Sequence, residues 1–484
     1  TTEIYTLSLH DALPISNTSA FERISSARSV ISEAVPIGVE TRYNPAESGG
    51  VNIAKLPHPC SKRSFTCGTL RLNLASNFES IETHLILRGT MLKIRFSFSR
   101  IFRPVLLAVT ALALAACEGS ISGPTSNVDP TQPVVVAMMV PYGSGQAAND
   151  QLADNLVNAA NMAVRDLRGA VIDLRIYQTG ADPVRAAIEA ERAIVEGAQI
   201  IIGPLFSSAT SAVAAVAQAN GVNVLSFSNN AAIAGGNVYI MGVTFEDIAI
   251  RLYRYAVQNG MTNVGVIYPE GVEGDAGLQA ATTAARLVGA NLTAIASYPL
   301  NMQGLSESAP AIAETIKANG VQALLFTDTP TRGLPFIAAA LGSEDVTRLN
   351  TQFLGLTRWD SSTDLLLQPS LQDGLFALPD PELTAQFNAR YLAAFGEEPH
   401  NLAAIAYDAV AAVGALIRSA AAEGAIDTFS AQRLTNPAGF IGANGIFRFM
   451  ADGQNERGLA IMKVETGTAV VVSVAPRNFG GFGF

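Results

Sequence analysis

From residue 134 onward, short apolar runs alternate with stretches in which apolar positions recur every three or four residues. Residues 134–140 form an unbroken apolar run. In 151–167, Leu152, Leu156, Ala160, Val164 and Leu167 fall on one helical face. A strand is predicted at 171–177. A helix follows at 182–196, with Asp182 as N-cap and Pro183 at its first position. Strands at 199–202 and 222–227 flank a helix at 208–219. Strand and helix in strict alternation predict a parallel sheet with helices on both faces.

The pattern then starts again. Helices are expected at 245–259, 276–288, 308–319 and 333–341, and strands at 264–268, 292–298, 321–326 and 352–356. Two such series imply two lobes. Two more helices, 382–395 and 401–419, read as returning to the first lobe. The segment 439–474 reads as short antiparallel strands around the turns Asp452-Gly453 and Glu465-Thr466-Gly467. The expected architecture is α/β: two Rossmann-like lobes joined by crossover strands. Lobe 1 is 134–243 plus 377–437, and lobe 2 is 244–376 plus 438–475.

The region before 134 has none of this periodicity. Residues 1–15, TTEIYTLSLHDALPI, resemble the translation of a sequencing-adapter oligonucleotide, and every methionine lies at or after Met91. Residues 1–90 are therefore read as artefact or upstream translation. Met91 opens a different pattern. Lys93, Arg95, Arg100 and Arg103 precede the uncharged run 104–116, which is shorter than the ~20 residues a membrane-spanning helix needs. Leu114-Ala115-Ala116-Cys117 closes it and resembles a bacterial lipobox. Residues 91–116 are read as a lipoprotein signal peptide, Cys117 as the acylated residue and 117–133 as a Gly/Ser/Thr/Pro-rich tether. By resemblance to the lipoprotein sorting rule of enterobacteria, Glu118 after the cysteine implies the periplasmic face of the outer membrane.

Composition narrows the function. The chain has 484 residues, a net charge of −10, three cysteines and four histidines. An acidic chain lacks the basic footprint of a nucleic-acid binder, and three cysteines make no disulfide scaffold. Gly143-Ser144-Gly145 follows a strand, but the third glycine of a dinucleotide fingerprint is absent, and the acidic Asp150 nearby opposes a phosphate. His400, after Pro399, reads as an exposed residue at a helix start rather than a catalytic base. Trp359, the single tryptophan, reads first as core, with lining of a cleft or contact with a partner as the alternative. No nucleophile–base pair, cofactor site or metal cluster is evident, so the chain is expected not to be an enzyme.

Several segments carry a resemblance. Residues 138–145, MMVPYGSG, resemble the opening strand and loop of the type 1 periplasmic binding fold; 201–208, IIGPLFSS, and 225–229, LSFSN, resemble the strands and loops beside its ligand. FGEEP at 395–399, AYDA at 406–409 and GIFRF at 445–449 with Asp452-Gly453 resemble its closing elements. Within that fold, a lipoprotein of this length is most similar to the penicillin-binding-protein activators. That resemblance implies an outer-membrane lipoprotein that binds a bifunctional peptidoglycan synthase, any amino-acid-like ligand being secondary. The alternative is the solute receptor of a branched-chain amino-acid ABC transporter.

In open α/β sheets, ligands bind beyond the carboxyl ends of the strands. Ser207, Ser208, Ser226, Ser228 and Asn229 lie there in lobe 1, and Tyr268, Glu270 and Asp328 in lobe 2. Ser208 opens a helix whose free N–H groups suit a carboxylate. Asp328 or Glu270 could hold an ammonium group. The same serines read equally as caps and loop residues, and the same acids as solvated loop residues.

The reading of 91–117 is testable directly. Cys117→Ser is expected to abolish incorporation of labelled palmitate and to release the protein from the membrane fraction. Unchanged labelling would contradict acylation at this residue.

Overall fold

The computed structural model describes residues 128–361 and 363–480, with the two-residue antiparallel strands Ile86–Leu87 and Thr90–Met91. The expectations for 1–90, for the signal peptide 91–116, for Cys117 and for the tether up to 127 otherwise lie outside the described residues.

Strands covered on both faces read as continuous apolar runs rather than as alternation. Such runs build two parallel sheets. The first contains β1 (Val134–Val140), β2 (Ile172–Gln178), β3 (Ile200–Ile202), β4 (Val224–Ser226) and β5 (Val238–Ile240), in the order β2-β1-β3-β4-β5. The second contains β6 (Asn263–Pro269), β7 (Asn291–Tyr298), β8 (Ala323–Phe326), β9 (Gln352–Gly355) and β10 (Leu375–Pro379) in the matching order β7-β6-β8-β9-β10. The helices between strands are α1 (Ala147–Asp166), α2 (Pro183–Val195), α3 (Ser207–Ala219), α4 (Phe245–Gln258), α5 (Val272–Val288), α6 (Met302–Ala318) and α7 (Leu334–Ser343). Asp182 caps α2 as expected, its carboxylate accepting the Arg185 N–H at 2.7 Å. α6 starts six residues before the expected 308. Asn301 caps it, accepting the Gly304 N–H at 2.8 Å, and the helix runs on through Pro310.

Two long helices follow, α8 (Pro381–Phe395) and α9 (Ala403–Glu423). Among the described residues, α9 is the one helix long and apolar enough to cross a membrane, but 72% of its apolar window is buried inside the protein. Its Ala406, Val410, Val413 and Ile417 join Met138, Ile201 and Leu225 in the first core. It is the central helix of lobe 1.

The chain ends in β11 (Phe440–Gly442), β12 (Gly445–Phe449), β13 (Asn455–Arg457), β14 (Leu459–Glu465) and β15 (Thr468–Ser473). β11, β12 and β13 form a small antiparallel sheet. β14 pairs antiparallel with β10, and β15 with β14, so the second sheet has seven strands.

Core membership moves the expected lobe boundaries. Residues 438–449 were expected in lobe 2, yet Phe440, Phe447 and Phe449 pack into the first core. A cut before residue 377 would divide β10, which pairs along its length with β14 in the second sheet. The chain therefore passes between lobes three times: after β5, after β10 and between β13 and β14.

These passages meet around one guanidinium. Arg457 Nε and Nη2 donate to the Met241 carbonyl at 2.9 and 2.6 Å, and Nη1 donates to Asp408 Oδ2 on α9 at 3.0 Å. Both side chains are almost wholly buried, at 2% and 0% exposed. The guanidinium also lies over the Phe447 ring, 4.7 Å from its centroid. Asn455 Nδ2 holds the Ile240 and Gly242 carbonyls at 2.8 Å each. Gly442 is fixed by the same node, because a Cβ there would sit 2.1 Å from Asp408 Oδ1.

Arg457→Met would leave Asp408 buried without its partner. We expect a loss of about 3–5 kcal/mol in urea unfolding, the cost of an uncompensated buried charge; a loss under about 1 kcal/mol would show that the node is not a keystone.

A second buried carboxyl lies close by. Asp247, in the first turn of α4, accepts the Thr244 N–H at 3.1 Å and the Thr244 hydroxyl at 2.9 Å. Burial pushes its pKa up from 3.8 to about 7, against those hydrogen bonds and the attraction of Arg457. A carboxyl held above its unfolded value binds its proton more tightly in the folded chain. Its contribution is complete below about pH 4 and is lost as pH rises through about 7. Asp247→Asn should flatten the fall in unfolding free energy between about pH 4 and pH 8, and an unaltered slope would remove Asp247 as its source.

Candidate functional site

The two sheets share one strand order, in which neighbouring loops diverge between the first and third strands of each. In lobe 1 that point lies between β1 and β3. The loop after β3 is set by Gly203, at φ 78°, where a Cβ would come 2.4 Å from the Met139 carbonyl oxygen. Only glycine fits there. The turn delivers Ser207 to the first position of α3.

Ser207 is 5% exposed, and its hydroxyl has no hydrogen-bond partner among the described residues. The preceding Phe206 is the N-cap and offers no side-chain acceptor to the first-turn amides. Backbone N–H groups and a hydroxyl thus converge at the positive end of a helix, an arrangement suited to a carboxylate. Ser208 is exposed next to it.

Ser226 is a correction to the expected site. It is fully buried. Its Oγ donates to the Pro204 carbonyl at 3.1 Å, accepts the Ser228 N–H at 3.2 Å and lies 2.8 Å from the Thr210 hydroxyl. With its capacity taken up, Ser226 ties β4 to the Gly203-Pro204 turn and has nothing left for a ligand. Ser228 is also buried, and its Oγ accepts the Asn230 N–H at 3.1 Å. Asn229 is half-buried.

In lobe 2, Tyr268 lies half-buried at the end of β6, and Glu270 is exposed just beyond it. The Glu270 N–H donates to the Tyr298 carbonyl at 2.8 Å, which joins this loop to the end of β7.

Asp328 is the second correction. Its side chain is wholly buried. Oδ1 accepts the Thr329 N–H at 2.7 Å and Arg332 Nε at 3.3 Å, while Oδ2 accepts the Tyr298 hydroxyl at 2.9 Å and the Gly333 N–H at 3.0 Å. Four donors saturate a carboxylate. Asp328 therefore organises the loop between β8 and α7 and is not free to receive an ammonium group. Burial, with Asp328 beside it, pushes the Tyr298 phenol well above its ordinary range. Arg332 also forms an ion pair with Glu273 in the first turn of α5, so three strand-end loops of lobe 2 are bound into one network.

Sequence reasoning missed Tyr298, Glu273 and Arg332. A readable sign was the spacing of Asp328, Arg332 and Gly333, an acid four residues before a base at a helix start. His400 also differs from expectation. It is half-buried, its Nδ1 accepts the Leu402 N–H at 3.1 Å, and burial pushes its pKa down to about 4, so the ring is neutral at pH 7. Trp359 is wholly buried and meets Phe326 edge-on at 6.3 Å. Among the described residues, no group of three His, Cys, Asp or Glu side chains is placed to hold a metal ion.

This arrangement, with strand-end loops of two α/β lobes and three chain crossings, is that of a two-lobed binding protein. The chain belongs to the periplasmic binding protein family, whose family model matches residues 133–469. Solved structures share the fold. One is a Rhodospirillum rubrum protein assigned to branched-chain amino acid ABC transport, with TM-score 0.59 and 18% identity, covering 70% of this chain and 100% of that one. A branched-chain amino acid transporter protein of Rhodopseudomonas palustris gives TM-score 0.57 and 16% identity, covering 72% and 97%. A Desulfitobacterium hafniense ABC transporter substrate-binding protein in complex with Leu gives TM-score 0.51 and 18% identity, covering 70% and 100%. No curated relative matches the chain.

Proposed function

We propose that the chain is a solute receptor that binds a small carboxylate-bearing, amino-acid-like molecule at the strand ends of its lobes and presents it to a membrane ABC transporter. One observation carries this: the unbonded hydroxyl of Ser207 at the uncapped start of α3. It stands where the strand order predicts a ligand. The relatives named above, described as branched-chain amino acid transporter proteins or bound to Leu, support the same direction. This reverses the order suggested by the lipoprotein-like leader, which had put binding of a peptidoglycan synthase first. Ser207, Ser208, Ser228, Asn229, Tyr268 and Glu270 remain the ligand-facing candidates, and lipid anchoring at Cys117 remains part of the reading.

The synthase-activating reading keeps one specific support. The acid expected to hold a ligand ammonium, Asp328, is saturated from within, as an unliganded cleft would allow.

Calorimetric titration with leucine and with its deaminated analogue, 4-methylpentanoate, separates the two. The receptor reading expects micromolar binding of at least one. Ser207→Asp, which sets a like charge against the ligand carboxylate, should abolish it, and Ser207→Ala should weaken it about tenfold. No binding of either tighter than about 1 mM, together with capture of a synthase from envelope extracts, would favour the activator reading.

A further inference from the structure

A ligand seated at the strand ends of both lobes meets the loops after β3, β4, β6 and β8 and the first helical turns that follow them. After β3 and β4, residues 203–210 and 227–233 contain no acidic residue. The carboxylates of this set are therefore all in lobe 2, and the buried ones are engaged. Asp328 takes donors from Thr329, Arg332, Tyr298 and Gly333. Glu273 is ion-paired with Arg332. The Arg332 side chain is the outermost of the trio, 30% exposed against 15% for Glu273 and 0% for Asp328. Lobe 2 thus turns a guanidinium outward and keeps its acids behind it. Glu270 and Asp275 stand in solvent, where an ion pair contributes little. The loop after β1 commits its acids as well: Asp150 accepts the Gly143 N–H at 2.9 Å, and Asp154 accepts the Tyr142 hydroxyl at 2.5 Å. The groups left open are neutral. The Tyr268 hydroxyl, on a half-buried ring, has no hydrogen-bond partner among the described residues, and neither has the Ser207 hydroxyl.

We propose, resting on the receptor reading above, that the site selects a carboxylic acid without an ammonium group, one whose α-carbon bears hydrogen or hydroxyl. An ammonium brings a charge and three N–H donors. Taking that charge out of water without acceptors is costly, and the buried acid at this end of lobe 2 has none of its capacity left. A hydroxyl demands less. It is neutral, it donates one hydrogen bond and accepts others, and the Tyr268 hydroxyl can serve it in either sense. The carboxylate end is the same in both classes, since Ser207 and the first amides of α3 receive it in each. The discrimination therefore lies in lobe 2. Asp328 and Arg332 satisfy each other, and in doing so they withdraw the acid that an amino acid would need.

The test is calorimetric titration of the full chain with acids matched on three carbon skeletons: alanine, lactate and propionate; leucine, 2-hydroxy-4-methylpentanoate and 4-methylpentanoate; phenylalanine, 3-phenyllactate and 3-phenylpropionate. On at least one skeleton the hydroxy or unsubstituted acid is expected to bind at least about 30-fold more tightly than the amino acid, whose buried donors find no acceptor. Glu270→Gln removes a like charge near the acid and should tighten its binding about twofold. An amino acid that binds as tightly as its ammonium-free counterparts, or more tightly, overturns this inference and leaves the receptor reading standing. So does amino-acid binding that weakens about tenfold in Glu270→Gln, because Glu270 then holds the ammonium. If none of the nine compounds binds more tightly than about 1 mM, this inference and the receptor reading fall together.

Discussion

The fold depends on one buried cation. Arg457 lies in the last of three passages between the lobes, its guanidinium on the Met241 carbonyl of the first passage and on Asp408 of the central helix of lobe 1. A charge this deep is tolerated only where each N–H has a partner and an opposite charge is near. The sequence around it therefore obeys the node. Gly442 must lack a side chain beside Asp408, Phe447 must offer a flat face, and Asn455 must hold the carbonyls on either side of Met241. Because most of these contacts are to backbone carbonyls, they fix the path of the chain more than they fix any one side chain.

The second lobe is attached by similar means. Arg251 on α4 donates to the Leu459 carbonyl at 2.8 Å and to the Ser473 hydroxyl at 2.6 Å, which joins the start of β14 to the end of β15. Asp380 caps α8 through the Glu382 and Leu383 N–H groups at 3.0 and 3.2 Å, directly after the second passage. Each passage is thus anchored within a residue or two of where it leaves a lobe. Anchoring of this kind lets two lobes be rigid individually while the chain between them stays short.

Most of the fold was legible because its strands are buried on both faces and its helices carry periodic apolar positions. The two strands that escaped, β5 and β10, are each the fifth of their sheet. Neither is introduced by a periodic helix: a single 3-10 turn, Ala231–Ile233, precedes β5, and short turns ending in Pro369–Leu371 precede β10. With no crossover helix to announce them, three to five apolar residues look like loop. The misplaced boundary at 438 has the same origin. An antiparallel hairpin shows which residues pair, but not which core its phenylalanines fill.

The strand ends were legible in the sequence, but not the roles of the side chains that stand at them. Strand ends are visible in sequence, so Ser207, Ser226, Tyr268 and Asp328 could all be found. Nothing local says whether a serine or aspartate at a strand end faces outward or holds its own loop together. Ser226 and Asp328 do the second, and their partners are far along the chain: the Pro204 turn for one and Tyr298 for the other. The distinction has consequences for binding. A loop whose hydrogen bonds are satisfied internally keeps its shape without ligand, so little ordering cost falls on association. Ser207 gains from this directly. The Ser226–Thr210–Pro204 cluster beneath it holds the turn and the first turn of α3 in place. On the proposed receptor reading, these inward-facing residues are the reason that one hydroxyl and a few helix amides hold a fixed geometry for a ligand.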